Sequence, residues 1–291
     1  MAEPHVRTRF APSPTGPLHL GHAFSALTAY ERARARGGDM LLRIEDIDSA
    51  RSKPEWEAQI FKDLTWLGLH WPQPVLRQST RLAAYCRALD RLTEMGLTYP
   101  CCCRRSDIRA ALSAPQAGAP VLGPDGLVYP GTCRGRPFSE AGANDAVRLD
   151  MARALAHLGA LPEFIETGPA HAGRHHLTEA AVLCEIGDIV LARRDIGTSY
   201  HVAVVVDDAF QCITEVVRGE DLFEATKIHV ILQALLGLPS PTFHHHRLIT
   251  DDTGKRLAKR DDARAIARYR QDGATPEDIR ALVALNPARA P

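Results

Sequence analysis

The chain has 291 residues, a length typical of about two domains. Its hydrophobic fraction of 45% and charged fraction of 24% are ordinary for a globular protein, and its 35 basic residues equal its 35 acidic ones. This balance argues against a large nonspecific nucleic-acid surface but leaves local basic patches open. The N-terminus lacks the apolar core of a signal peptide, and no run is long and apolar enough to cross a membrane, so we expect a cytoplasmic protein.

The first predicted elements form a strand–loop–helix–strand unit. Residues 6–11 are predicted as a strand, and the prolines and glycine at 12–17 force a tight loop. Residues 23–36 carry apolar side chains at helical spacing, and residues 40–44 suit a buried strand. The result is a βαβ unit whose loop opens at a helix N-terminus, where free N–H groups and the helix dipole favour an anion such as phosphate.

Candidate functional residues surround this helix N-terminus. Gly21 lets a nucleotide approach the backbone closely, and His19 and His22 can donate hydrogen bonds to phosphate oxygens as charge moves in a transition state. Carboxylates, beginning with Glu45, follow the second strand. Because ligands of open α/β sheets bind beyond the carboxyl ends of the strands, we expect these carboxylates to face the same crevice.

Two strings carry a family resemblance: RFAPSPTGPLHLGH at residues 9–22 and LLRIEDID at residues 41–48. They resemble the HIGH signature region of class I aminoacyl-tRNA synthetases, and the glutamyl branch in particular. The alternative interpretation of residues 9–22 is that the prolines are ordinary loop residues and the two histidines lie at the surface without a functional role. The resemblance implies an α/β fold with a Rossmann-type parallel sheet that activates glutamate with ATP and Mg²⁺. It implies ATP contacts at His19, Gly21 and His22, with both histidines catalytic, and L-glutamate contacts at Arg9, Ala11, Ser13 and Glu45.

After helices predicted at 54–69 and 81–95, the chain changes character between residues 98 and 136, which look like an insertion in the sheet. The seven cysteines of the chain are an odd number, which argues against a disulfide framework. Cys101 and Cys103 can reach a common metal, and Cys133 joins them from a distant point. Structural zinc needs a fourth ligand, and reduced, buried or reactive thiols are the alternative.

The fourth ligand is implied by resemblance to a short relative of the glutamyl enzymes, the glutamyl-queuosine tRNA(Asp) synthetases. That family has a C-x-C…Y-x3-C pattern, which Cys101, Cys103, Tyr129 and Cys133 fit as ligands of one structural zinc ion. Cys102 competes as a ligand. The histidines at 171, 175 and 176 are a second metal site on one interpretation and a solvated loop on the other.

The following region is predicted to complete the sheet. Residues 188–192, 200–206 and 211–217 are predicted as strands, the middle one central because it is too apolar for an exposed position, and residues 222–236 as a helix. Resemblance to the glutamyl family implies that Tyr200 and Arg218 contact L-glutamate. The alternatives are a core aromatic for Tyr200 and a salt bridge to Glu220 or Asp221 for Arg218.

Residues 247–261, RLITDDTGKRLAKRD, resemble the second class I signature, KMSKS. Arg256 stands in place of its first lysine and Ala258 in place of its serine, while Lys259 remains. The resemblance implies that Arg256 and Lys259 bind ATP, and a lysine on a mobile loop can stabilise the departing pyrophosphate, which makes Lys259 a catalytic candidate. A solvated basic turn is the alternative. Two short helices are predicted at 263–270 and 276–285.

The resemblance covers nearly the whole chain and implies a division into three parts. Residues 1–100 and 186–245 form the nucleotide-binding catalytic domain, residues 101–185 an inserted zinc subdomain, and residues 246–291 the KMSKS-like loop with a helical segment; no anticodon-binding domain is expected. The implied partners are ATP, L-glutamate and queuosine-containing tRNA(Asp), bound by a monomer. The implied reaction is tRNA-independent glutamate activation followed by transfer to queuosine in the anticodon. Charging of a tRNA 3′ end, a silent tRNA-binding paralogue and a small-molecule nucleotidyltransferase are the alternatives.

Overall fold

The computed structural model describes residues 5–112, 121–250 and 264–283. The strands are β1 (Arg7–Phe10), β2 (Asp39–Ile44), β3 (Leu76–Arg77), β4 (Thr98–Cys101), β5 (Leu122–Gly123), β6 (Gly126–Leu127), β7 (Ala146–Leu149), β8 (Glu163–Glu166), β9 (Gly173–His176), β10 (Val190–Ala192), β11 (Glu215–Gly219) and β12 (Thr242–His246). The helices are α1 (Leu20–Arg34), α2 (Pro54–Trp66), α3 (Leu82–Glu94), α4 (Arg105–Leu112), α5 (Met151–Leu158), α6 (Glu179–Ala181), α7 (Tyr200–Phe210), α8 (Ala225–Leu236), α9 (Ile266–Gln271) and α10 (Pro276–Leu282).

Parallel strands form the centre of the molecule, which confirms the predicted α/β class. β1, β2 and β3 pair in parallel, with Arg9 opposite Leu41. β11, β12 and β8 also pair in parallel, and β9 adds an antiparallel edge. The two sheets meet where the Thr214 N–H donates to the Arg7 carbonyl at 2.9 Å. β4, β7 and β10 form a separate antiparallel sheet, and β5 and β6 form a hairpin.

The hydrophobic core lies between these strands and the helices that connect them. α1 covers β1 and β2 with a face of small and apolar side chains, of which Ala23, Ala26 and Leu27 are fully buried. Each fully buried leucine stabilises the fold by about 1.5–3 kcal/mol. A second core surrounds α7 and α8, with Val202 and Ile228 fully buried. Among the described residues, no helix combines the length and the apolar character that a membrane span requires.

The strand predicted at residues 200–206 is wrong, because this segment begins α7. The Ser199 hydroxyl accepts a hydrogen bond from the Val202 N–H and caps the helix. Five consecutive residues of α7, from His201 to Val205, are all buried, so this segment lacks the polar stripe of a surface helix. β-branched residues lower helix propensity by less than about 1 kcal/mol each, and this burial outweighs that cost.

Other differences concern element boundaries. α1 begins at Leu20, three residues before the predicted start, so the HLGH string forms its first turn. β11 begins at Glu215 and includes Gly219, whereas the sequence predicts a strand over 211–217. α8 begins at Ala225, after a 3₁₀ turn at Glu220–Leu222.

Candidate active site

A cavity of about 500 Å³ opens at the carboxyl ends of β1, β2 and β11. All nine described residues that the sequence assigns to L-glutamate or ATP line it: Arg9, Ala11, Ser13, His19, Gly21, His22, Glu45, Tyr200 and Arg218. The other two ATP candidates, Arg256 and Lys259, lie outside the described residues. The structure therefore brings together side chains that are more than 200 residues apart in the sequence.

The two signature histidines cap α1 with their own rings. His19 Nδ1 accepts a hydrogen bond from the Gly21 N–H at 3.1 Å, and His22 Nδ1 accepts one from the His19 N–H at 3.2 Å. The ring centroids are 3.9 Å apart. Since Nδ1 is the acceptor in each ring, the proton of the neutral ring sits on Nε2. The caps therefore fix both tautomers at a helix N-terminus, where an anion is favoured.

A buried charge network lies beside the cavity. Arg9 donates to both carboxylate oxygens of Asp208, at 3.1 and 3.5 Å. Arg43 is fully buried and donates to Asp208 at 2.7 Å and to Glu45 at 3.4 Å. Burial alone would raise the pKa of Asp208, but the charges of Arg9 and Arg43 lower it. Burial raises the pKa of Glu45 despite these arginines.

The pairing of Arg43 with Asp208, and with it the place of Arg43 beside the site, was not predicted from the sequence. A charged residue inside the apolar strand at 40–44 was the available signal, because a buried guanidinium needs a carboxylate partner. Asp208 neutralises Arg9, which the sequence assigned to a substrate carboxylate. Arg9 thus reaches the cavity already paired.

Arg218 differs from Arg9 because no carboxylate of the described residues touches it. Its guanidinium donates to His245 Nε2 and His229 Nδ1, both at 3.1 Å, to the Thr226 hydroxyl at 2.8 Å and to the Leu222 carbonyl at 3.3 Å. Arg218 is 5% exposed and, within the described parts of the chain, forms no ion pair, so the alternative of a bridge to the acidic residues at 220 and 221 does not hold. Burial lowers the pKa of Arg218.

Tyr200, the other glutamate candidate of this region, stands at the first position of α7. Its hydroxyl lies 3.5 Å from a terminal nitrogen of Arg218, and its ring borders the cavity. Tyr200 is only partly buried, so it is not a simple core aromatic. Burial raises the pKa of Tyr200, which keeps its hydroxyl protonated and able to donate.

A glutamate and a histidine support Arg218 from behind. His245 Nδ1 lies 2.5 Å from Glu166 Oε2, while His245 Nε2 accepts the Arg218 hydrogen bond. His245 lies on β12, and its contact with Glu166 was not predicted from the sequence. Glu166 comes from β8, in the predicted insertion, and nothing in its local sequence signals this contact.

Charged side chains of both signs line the cavity: Arg9, Glu45, Arg218 and Asp221. Asp208 pairs with Arg9 and Arg43, and Arg43 also pairs with Glu45. Among the described residues, Arg218 forms no ion pair with a carboxylate. Such a site can bind an anion at Arg218 and at the N-terminus of α1, and a cation at Glu45.

The predicted metal ligands also meet. The Sγ atoms of Cys101, Cys103 and Cys133 lie within 4.8 Å of one another. The Tyr129 hydroxyl is 3.4 Å from Cys101 Sγ and 3.3 Å from Cys103 Sγ. Cys102 Sγ lies 3.8 Å from Cys133 Sγ but does not belong to the converging group. Three thiols and a phenol in this arrangement fit a tetrahedral metal ion.

Buried side chains fix this cysteine cluster (Cys101, Cys103, Tyr129 and Cys133). The guanidinium carbon of Arg148 lies 3.9 Å from the centre of the Tyr129 ring, and Arg148 Nε donates to Cys101 Sγ at 3.3 Å. The Cys133 N–H donates to the Tyr129 hydroxyl at 2.8 Å. Arg148 thus places a positive charge beside the sulfur atoms of the cluster.

Comparison with known proteins agrees with this geometry. The family described as tRNA synthetases class I (E and Q), catalytic domain, matches residues 5–120 and 173–287. The chain is 28% identical to a glutamate-tRNA synthetase from Elizabethkingia anophelis, with a TM-score of 0.76, and covers 61% of that chain. A methionyl-tRNA synthetase from Mycobacterium tuberculosis, at 12% identity and a TM-score of 0.60, shares the fold. The chain is thus a ligase of the class I tRNA synthetase type.

More similar relatives narrow the assignment. The chain is 62% identical over 281 residues to a glutamyl-Q tRNA(Asp) synthetase of Rhodobacter capsulatus, covering 96% of this chain and 99% of that one. It is 41% identical over 266 residues to a protein of the same name from Albidiferax ferrireducens, covering 85% of that chain. The chain belongs to the glutamyl-Q tRNA(Asp) synthetase family.

Proposed function

We propose that the chain activates L-glutamate with ATP and Mg²⁺ in the absence of tRNA and then transfers the glutamyl group to the queuosine base in the anticodon of tRNA(Asp). The names of its relatives support the acceptor. In the first step, a glutamate carboxylate attacks the α-phosphorus of ATP in line, and pyrophosphate leaves with its electron pair. The step needs no protein nucleophile, so positioning and charge stabilisation carry the catalysis.

The observation that carries the proposal is the buried, carboxylate-free guanidinium of Arg218 in the cavity. Its other partners are neutral acceptors, so a carboxylate of the substrate supplies the missing counter-charge. Glu45, across the cavity, binds the substrate ammonium, and Tyr200 donates to a carboxylate oxygen. Arg9, already held by Asp208 and the Val217 carbonyl, contributes the N–H groups that these partners leave unused. Ala11 and Ser13 complete the glutamate-binding wall.

The N-terminus of α1 receives the phosphates. His19 and His22 present the Nε2 edges of their rings, and Gly21 keeps the backbone accessible to ATP. Arg256 and Lys259, from the KMSKS-like loop, contact the same phosphates in this proposal. Lys259 stabilises the charge of the leaving pyrophosphate.

We further propose that the cysteine cluster holds one structural zinc ion. Zinc bound there would tie the 101–103 loop to the 129–133 turn, and four protein ligands leave no open position for catalysis. The convergence of three Sγ atoms and the Tyr129 hydroxyl supports this assignment. ATP and tRNA are both cytoplasmic, and we place the enzyme there, acting as a monomer.

The first test is glutamate-dependent ATP–pyrophosphate exchange without tRNA. The wild-type chain should catalyse it, Arg218→Gln should abolish it, and Arg153→Gln, which changes an exposed arginine, should not affect it. Exchange that survives Arg218→Gln would contradict the site assignment.

The second test is transfer of labelled glutamate to tRNA(Asp) with and without queuosine. Label only on the queuosine-bearing tRNA is the expected result. Label on the 3′ end of a glutamate tRNA would support the activation step but contradict queuosine as the acceptor. Absence of ATP–pyrophosphate exchange with every amino acid would refute the proposal.

A further inference from the structure

Two buried histidines next to Arg218 have no role in the chemistry described above. His201 of α7 and His229 of α8 are 6% and 2% exposed, and His201 Nδ1 lies 3.1 Å from His229 Nε2. His229 Nδ1 in turn lies 3.1 Å from a terminal nitrogen of Arg218. On the far side, His201 Nε2 lies 3.5 Å from Asp125 Oδ1. The four side chains form a continuous row, the Asp125 relay, from the cavity to the surface.

The proton positions in the Asp125 relay follow from its inner end. A guanidinium can only donate, so His229 Nδ1 must accept. The proton of neutral His229 is then on Nε2 and is donated to His201 Nδ1, which leaves the His201 proton on Nε2, facing the Asp125 carboxylate. A second proton on either ring would set two N–H groups against each other. Burial and the neighbouring Arg218 charge lower the pKa of His229, which agrees with a neutral ring.

The outer end of the relay is fixed by the hairpin of β5 and β6. Asp125 lies in the turn of this hairpin, with 44% of its side chain exposed. Gly123 approaches the main chain of the π-helical turn at Val182–Ile186 so closely that a Cβ atom would lie 2.2 Å from the Glu185 carbonyl oxygen. The backbone contact holds the hairpin against the body of the protein, and with it the Asp125 carboxylate.

Glu166 and His245 repeat the same arrangement on the other side of Arg218. In both cases a neutral imidazole touches the guanidinium, and the carboxylate lies one or two rings away. The remote carboxylates offset part of the cost of burying the charge. Neither carboxylate touches the guanidinium, so among the described residues its charge has no direct carboxylate partner.

We propose that His229 and His201 are positioning residues for Arg218, and that Asp125 makes the hairpin of β5 and β6 part of the glutamate-binding apparatus. The inference rests on the proposed function, because it takes glutamate as the ligand of Arg218. Loss of an acceptor frees the guanidinium to rotate, which weakens glutamate binding and leaves the ATP contacts on α1 intact. The kinetic signature is a rise in KM for glutamate at constant KM for ATP.

The relay itself can be tested without activity, by ¹⁵N NMR of histidine-labelled protein. Long-range proton correlations should show His229 and His201 neutral with the proton on Nε2, and His245 neutral with the proton on Nδ1. Asp125→Ala should shift the ring ¹⁵N signals of His201 and His229. Glu140→Gln, which changes another exposed carboxylate, should not. A His229 proton on Nδ1, or ring signals insensitive to Asp125→Ala, would overturn the relay.

The kinetics of glutamate-dependent ATP–pyrophosphate exchange test whether the relay positions Arg218. Asp125→Ala should raise KM for glutamate by about threefold or more, and Asp125→Asn, which keeps an acceptor oxygen, should recover most of the loss. His229→Leu removes the acceptor of Arg218 and should raise this KM by about tenfold or more. His229→Asn keeps an acceptor near the Nδ1 position and should give a smaller effect. Equal effects on the KM values for glutamate and ATP would overturn the positioning role.

The two arms separate the failure of the inference from that of the proposed function. Wild-type protein with the expected tautomers but no glutamate-dependent exchange would refute the proposed function, and with it glutamate as the ligand of Arg218. Wild-type exchange whose KM for glutamate is unchanged by Asp125→Ala and His229→Leu would refute the positioning role alone.

Discussion

Replacing Glu166 by glutamine should destabilise the protein in a pH-dependent way. Glu166 is 2% exposed and accepts hydrogen bonds from His245 Nδ1 and from the backbone N–H groups of His245 and Gly168, at 2.5, 2.9 and 2.5 Å. An amide NH₂ group would meet the Nδ1–H of His245. The ring would then have to move its proton to Nε2, where it opposes an N–H of Arg218.

The magnitude follows from the pKa of Glu166. Burial alone would raise this pKa, but the His245 ring and the backbone N–H groups lower it from the ordinary 4.5 to about 2. Because the folded-state pKa is the lower one, the ionised carboxylate stabilises the fold fully above about pH 5, and the contribution disappears as the pH falls towards 2. The difference corresponds to roughly 3 kcal/mol, or a decrease of about 5 °C in Tm for a chain of this length.

Urea unfolding at pH values from 7 to 3 measures this contribution directly. The free energy of unfolding of Glu166→Gln should lie about 3 kcal/mol below wild type at pH 7, and the gap should narrow steadily below pH 5. Glu163→Gln is the matched control on the same strand. Glu163 pairs with Arg174 and His176 at the surface, so its loss should cost less than about 1 kcal/mol. If the difference in free energy of unfolding between wild type and Glu166→Gln does not change with pH, or equals that of Glu163→Gln, the assigned role of the Glu166 carboxylate is refuted.

Three further predictions concern the metal, the charge network and the loop. Cys101→Ser should remove bound zinc and lower Tm, whereas Cys102→Ser should retain the metal, as elemental analysis of the purified variants will show; equal zinc content would contradict the ligand assignment. Asp208→Asn should lower the free energy of unfolding by about 3–5 kcal/mol, measured by urea titration, because two buried arginines lose their carboxylate. Lys259→Ala should impair adenylate formation in single-turnover assays more than glutamate binding in calorimetry, and an equal loss of both would contradict its role.

The sequence predicted best what is encoded locally. The strand, proline-rich loop and helix of the first 36 residues follow from turn residues and apolar spacing. In the structure the strand is Arg7–Phe10, and α1 begins at Leu20 and ends at Arg34. The earlier start has a physical reason, since His19 and His22 cap the helix with their rings. Histidine is not among the preferred capping residues, so propensity alone does not signal it.

The sequence failed where tertiary packing decides the structure. Residues 200–206 are predicted as a strand because they are β-branched and apolar, yet they begin α7, a helix in which seven of the eleven residues are buried. Two signals favoured the helix: Ser199 at its N-cap, and an apolar run longer than most strands. The helix also separates the paired aspartates. Asp207 accepts from Tyr85 and Gln78, while Asp208 accepts from Arg9 and Arg43.

Asp208 shows why the charge of the site could not be derived from the sequence. Its partners Arg9 and Arg43 lie 199 and 165 residues away, and only the fold reveals that one carboxylate holds both. This pairing removes Arg9 from the cations that are available to a ligand. Among the described residues, Arg218 is then the arginine of the cavity without a carboxylate partner, and it is the cation that we propose for the substrate. Glutamine lacks the second carboxylate of glutamate and would leave Arg218 buried without a counter-charge, so exchange with glutamine should be at least about 100-fold less efficient in kcat/KM. Comparable exchange with both amino acids would mean that Arg218 does not select the substrate by charge.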